Sequence, residues 1–128
     1  SEAPHTTKIV VVDSIGLLSV LYAKGKIAYV GGGFGAGIHN TLEPMAHNKP
    51  VIFGPAYSKF PEAVEMLRLK AARSVNSVQE LIDSIQFYKD SAHAEDAGKT
   101  ANDYMVRNAG ASAKVTKYLL ESIPYSAK

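Results

Sequence analysis

At 128 residues the chain is long enough for one domain around one packed core, and its 46% hydrophobic and 20% charged residues are ordinary for a globular protein. A net charge of +2, with Lys and Arg scattered along the chain, leaves no electrostatic footprint for nucleic acid. The lack of cysteine removes disulfide frameworks and thiolate metal sites and fits a reducing compartment. No apolar run approaches the roughly 20 residues of a transmembrane helix. Ser1–Thr7 has neither the apolar core nor the cleavage pattern of a signal peptide, and reads as a linker or disordered start cut from inside a longer chain.

The first apolar run, Lys8–Asp13, is rich in β-branched residues and predicts a buried parallel strand. Ser14 is placed to cap a helix from Ile15 to Lys24, with Leu17, Leu18, Leu21 and Tyr22 at helical spacing and Gly25 as its stop. A second strand, Ile27 to Val30, runs into Gly31–Gly37, which holds five glycines in seven residues. Asn40 or Thr41 then opens a short helix to His47, broken by Asn48-Lys-Pro50, and Val51–Phe53 is a third strand closed by Gly54-Pro55. A helix from Pro61 to Lys70 and a short strand over Ala72–Val75 follow. Asn76 or Ser77 caps the next helix, to Tyr88, and Glu80 completes a capping box with Ser77. The stretch Ser91 to Ile123 predicts two helices with a break at Asn108–Gly110. Strands alternating with helices predict one α/β domain over the whole chain, a Rossmann-like parallel sheet flanked by helices.

In such a sheet the chemistry belongs at the carboxyl edge of the strands, and three segments fall there. The first is Tyr29 to Pro44. Its glycines allow close backbone approach to a ligand, and the helix that follows offers N–H donors to a phosphate. Asn40, Thr41 and Glu43 lie in or beside that helix's first turn, and a carboxylate such as Glu43 can accept from two adjacent hydroxyls, as on a ribose. A tight turn and ordinary dipole complementation account for the same residues equally well. The second segment is Asp13–Leu17, where Gly16 lets backbone approach a base or phosphate, or is simply an early helix glycine. The third is Phe53–Phe60, where Ser58 and Lys59 face an anionic sugar or phosphate, or line a surface loop.

Several chemistries are excluded. The glycines do not follow the dinucleotide spacing, there is no G-x-x-x-x-G-K-[ST], and Ser14 lacks a nucleophile elbow. His5, His39, His47 and His93 have no metal-ligand spacing, so no metal site and no cofactor is expected; His39, just after the glycine loop, is the one placed to touch a ligand.

Taken together, Val30-Gly-Gly-Gly-Phe34, Gly37-Ile-His-Asn-Thr-Leu-Glu-Pro-Met-Ala46, Lys49-Pro-Val-Ile-Phe-Gly-Pro55 and Phe60, with Asp13-Ser-Ile-Gly16 upstream, resemble the 3-deoxy-D-manno-octulosonic acid (Kdo) transferases of lipopolysaccharide biosynthesis. The resemblance runs from Lys8 to about Tyr88. It implies the C-terminal half of a GT-B fold, a glycosyltransferase that moves Kdo from CMP-Kdo to a lipid A precursor. The nucleotide would meet Ser14, Ile15, Gly16, Gly31, Gly32, Gly33, His39, Asn40, Glu43 and Lys59. Acceptor binding, the general base and membrane contact would come from an N-terminal domain outside this chain, at the cytoplasmic face of the inner membrane of a Gram-negative bacterium. The fragment alone would bind nucleotide weakly and transfer nothing. Leu17 where many members carry an acid, Lys59 where many carry Asn, and the short Phe34–Gly37 loop depart from the pattern. A UDP-sugar 2-epimerase of similar fold and a non-catalytic α/β module are the competing readings.

Overall fold

The computed structural model describes residues 9–14 and 16–122. The expectations for Ser1–Thr7, Lys8 and Ile15 lie outside the described residues.

Three short strands form the sheet: β1 (Ala28–Val30), β2 (Val51–Phe53) and β3 (Ala72–Ser74). They lie in the order β1-β2-β3, all parallel, with Ala28 opposite Val51 and Val51 opposite Ala72. Every residue of the central strand is buried, as a strand covered on both faces requires. Side-chain alternation then splits the core into two layers. Val30, Val51, Phe53 and Ala72 pack on one face with Met45, Met66 and Ala101; Ile52 packs on the other with Val75, Tyr88 and Ala97. Removing a side chain such as Phe53, Ile52 or Met45 from water contributes about 1.5–3 kcal/mol each.

Five helices flank the sheet: α1 (Leu18–Lys24), α2 (Leu42–Ala46), α3 (Pro61–Arg68), α4 (Val78–Lys89) and α5 (Ser91–Ser122). Pro61 starts α3 where its missing N–H costs nothing. Ser77 caps α4 as expected, its hydroxyl accepting from the Glu80 N–H at 3.2 Å. The Glu80 carboxylate returns one residue further out than a capping box requires, accepting from the Asn76 N–H at 2.6 Å. Where α5 crosses the end of α2, Gly98 lies against the Asn48 carbonyl with no room for a side chain, and Asn102 donates to Asn48 Oδ1.

Three expectations are corrected. Ile9–Asp13 is not a strand: it has no regular structure, and Ile9, Val10, Val11 and Val12 are exposed. A β-branched run becomes a buried strand only beside another strand, and β1 pairs with β2 alone among the described residues. The helix expected from Ile15 begins at Leu18 with Leu17 at its N-cap and no side-chain cap, so Ser14 does not serve. The break expected at Asn108–Gly110 is absent: α5 is one 32-residue helix. Flanking Ala101, Ala109, Ala111 and Ala113 are strong helix formers, and they outweigh a single glycine's cost of about 1 kcal/mol. Smaller differences are shorter ends: β1 starts at Ala28, α2 stops at Ala46, α3 at Arg68 and β3 at Ser74, while α4 runs one residue further, to Lys89.

Candidate functional site

The carboxyl ends of β1 and β2 are tied together backbone to backbone. Beyond Val30 the chain turns through Gly32 (φ 87°) and Gly33 and comes back, so that the His39 N–H donates to the Gly31 carbonyl at 2.9 Å. Gly33 lies directly on Gly54 at the end of β2: a Cβ on Gly33 would sit 2.5 Å from the Gly54 Cα, and one on Gly54 2.7 Å from the Gly33 carbonyl carbon. Two hydrogen bonds fasten the contact, from the Ala56 N–H to the Gly33 carbonyl (2.8 Å) and from the Ile38 N–H to the Ala56 carbonyl (3.2 Å). The glycines here answer to close packing between loops, and Gly32 in addition to a positive φ. The N–H groups of Gly32 and Gly33 donate to no backbone carbonyl among the described residues.

The structure brings Gly31, Gly32, Gly33, His39, Asn40 and Glu43 into one turn-and-helix unit. The His39 ring lies against the glycine backbone: a Cβ on Gly31 would be 3.7 Å from Nδ1, and one on Gly32 2.9 Å from Cδ2. Asn40 Oδ1 accepts from the Leu42 N–H at 2.9 Å, so Asn40 holds the start of α2 while Thr41 occupies the N-cap position without a side-chain cap. Glu43, half-buried in the first turn, makes no ion pair among the described residues. Lys59 is exposed on the Gly54–Phe60 loop that Gly33 anchors. Ser14 and Gly16 stand apart: both are exposed ahead of α1, with no hydrogen bond to the glycine loop among the described residues, and Gly16 has φ 93° and open space around it.

Three further residues stand out beside this unit. Gly54, expected within the Phe53–Phe60 segment at the close of a strand, packs directly on Gly33. Thr41 is 1% exposed, and its hydroxyl finds no partner among the described residues. Tyr22, on α1, has its phenol raised above the usual tyrosine range, by burial first and by the Glu43 charge second. A buried side chain without an evident partner is visible only once the chain has folded.

The unit lines no enclosed cavity. One hollow, of about 370 Å³, lies at the opposite edge of the sheet between Ile27, Pro50, Tyr88 and Ala94. A smaller one, about 220 Å³, lies beside the glycine loop between Tyr29, Phe34, Val75 and Leu81. The glycine loop with α2 is an open shelf at the carboxyl edge of the sheet. A helix as short as α2, with five residues, has a weak dipole, so an anion at this edge would have to be met by the loop's amides and by side chains. Among the described residues no group of three or more His, Asp or Glu is arranged to hold a metal ion, and no helix is long and apolar enough to cross a membrane.

No protein-family model matches the chain. A 3-deoxy-D-manno-octulosonic acid transferase of Chlamydia pneumoniae is 38% identical over 92 residues, covering 70% of this chain and 21% of that protein. A 3-deoxy-D-manno-octulosonic acid transferase of Haemophilus influenzae is 32% identical over 124 residues, covering 93% of this chain and 29% of the relative. The crystallised C-terminal CMP-Kdo binding domain of WaaA from Acinetobacter baumannii superposes with a TM-score of 0.64 at 29% identity, over 73% of this chain and 51% of that domain. The chain belongs to the 3-deoxy-D-manno-octulosonic acid transferase family. It spans less than a third of the length of these curated relatives. Its three-stranded parallel sheet, flanked by helices, is the α/β architecture of the C-terminal half of a GT-B fold. The expected motif residues of the Kdo transferases therefore sit on the shelf, with Ser14 and Gly16 off it.

Proposed function

We propose that this chain forms the donor-nucleotide wall of a Kdo transferase, holding CMP-Kdo while the rest of the protein presents a lipid A precursor. One observation carries the reading. Gly31–Gly33, His39, Asn40 and Glu43 are gathered on the carboxyl edge of the sheet, in a chain similar to a domain named for CMP-Kdo binding.

The chemistry follows from the groups present. Transfer breaks the bond between the Kdo anomeric carbon and the CMP phosphate and forms one to an acceptor hydroxyl. The departing phosphate gathers charge, which the amides of Gly32 and Gly33 and the Asn40 side chain stabilise by donating hydrogen bonds. Asn40 spends its oxygen on Leu42, which leaves its two Nδ2 hydrogens for a ligand. Glu43 accepts from the ribose hydroxyls, and Lys59 meets the anionic sugar. The acceptor's general base is assigned to the N-terminal part of the enzyme, as is its place at the cytoplasmic face of the inner membrane. An open shelf also explains why this chain by itself would hold nucleotide weakly: a second wall is needed to exclude water and strengthen each charged contact.

Titration of CMP, UMP and UDP, followed by NMR shift mapping, tests the reading. The expected result is a preference for CMP, with shifts at Gly31–Gly33 and Asn40–Glu43. A preference for UDP would overturn the Kdo assignment and favour a UDP-sugar enzyme of the same fold.

A further inference from the structure

The hollow at the amino edge of the sheet shares no residue with the shelf. At about 370 Å³ it falls in the size range of small-molecule sites. Three lysines line it from three separate segments: Lys26 ahead of β1, Lys49 ahead of β2 and Lys89 at the end of α4. None of them makes an ion pair among the described residues. The one acid on the wall is Glu95; Asp90, just outside it, has a carboxylate oxygen accepting from the Ala92 N–H. Ser91 adds a hydroxyl, and it stands at the positive end of the 32-residue helix α5.

Lysines near one another attract any anion weakly. Tyr88 makes this hollow more than a patch of charge. It lines the same wall, it is 2% exposed, and its hydroxyl finds no partner among the described residues. A buried hydroxyl left unpaired costs free energy in the empty protein, and an acceptor oxygen entering the hollow recovers it. Packing gives no reason for the oxygen, since phenylalanine would fill the same core position. A phosphomonoester suits this set of groups. It carries up to two charges and several acceptor oxygens for donors arriving from different sides, and flexible lysine stems can bring point charges to it. The rest of the hollow leaves room for the body that carries the phosphate.

We propose that the amino-edge hollow is a second anion site, taking a phosphomonoester among Lys26, Lys49 and Lys89 with one of its oxygens accepting from the Tyr88 hydroxyl. It lies at the opposite edge of the sheet from the shelf, so both can be filled at once. Soluble phosphate esters and phosphatidic acid at a membrane surface present the same group, and the test separates these sources.

Inorganic phosphate is titrated into the 128-residue chain at constant ionic strength, with amide NMR shifts as the readout. Saturable shifts are expected at Lys26, Lys49 and Lys89–Ala92. Tyr88→Phe should weaken binding about tenfold, the scale of a hydrogen bond to a charged group, with no drop in melting temperature at neutral pH. Lys26→Gln and Lys89→Gln, both at exposed positions, should each weaken it about threefold. Lys117→Gln, roughly seven turns along α5 from Ser91, should leave it within about twofold. No saturable shift, or the same shifts with chloride, would overturn the proposal. So would weakening by the lysine variants alone with Tyr88→Phe binding like wild type, which is surface attraction without a built site. Glycerol 3-phosphate and phosphatidylcholine vesicles with and without phosphatidic acid then identify the source. Binding of the first supports a soluble ester, and Tyr88-dependent sedimentation only with phosphatidic acid supports a lipid headgroup. Binding of neither rules out an ester and overturns the proposal.

Discussion

The N-terminal stretch and the middle of the chain are both supplied with large apolar residues yet differ in what they bury. From Val51 to Ala101 nearly every large apolar residue of the sheet and its facing helix positions is inside; Phe53 and Ile52 are 0% exposed. From Ile9 to Leu21 comparable residues lie open, with Val11 at 87% and Val10 at 63%. The exposed stretch is the more apolar of the two; what it lacks is neighbours. Val51–Phe53 has a strand on each side and a helix layer on each face, whereas Ile9–Val12 has no strand beside it among the described residues. A residue type sets how much burial would stabilise, and topology decides whether that burial happens.

That contrast can be broken by mutation. Phe53→Ala should cost about 3–5 kcal/mol in chemical denaturation, because it empties a site closed on all sides. A loss under 1 kcal/mol would mean that the central strand is not the core. A smaller effect, confined to alkaline solution, should come from Tyr88 in the second core layer. Burial pushes its phenol up to about 12 from an ordinary 10.0. The unfolded chain therefore loses its proton first, and stability is intact below pH 10 and falls by about 2–3 kcal/mol as pH rises through 12. Tyr88→Phe should remove that fall, measured as melting temperature against pH. Near neutrality it should be neutral or stabilising by up to about 1 kcal/mol, since the buried hydroxyl has no partner among the described residues. The smallest effect belongs to the open region: Val11→Ser should stay within about 0.5 kcal/mol in the same denaturation experiment. A loss of several kcal/mol there would show that Ile9–Val12 is packed after all.

The same distinction explains what was legible in the sequence. Strands and helices whose signals are local could be read: the strand over Val51–Phe53, the Ser77 cap, and Pro61 opening its helix all appear where the residues place them. Features that depend on partners could not. The Lys8–Asp13 run has the composition of a strand but no neighbour, and Gly110 carries a break signal that its alanine-rich surroundings overrule. The site divides in the same way. Gly31–Gly33, His39, Asn40 and Glu43 are close in sequence and fall together in space, whereas Gly54 joins them only through the meeting of two loops. Ser14 and Gly16, read as part of the same edge, depend on the strand that does not form.

The contact between Gly33 and Gly54 has an evolutionary consequence. Most close-packed pairs can drift, because a larger side chain on one side can be matched by a smaller one on the other. Here neither partner has a side chain to give up. No second change at either position can rescue a first, so this pair is a dead end for compensation. Variation around the junction has to arise at neighbouring side chains, at positions such as His39 and Lys59, while the glycine pair beneath stays fixed.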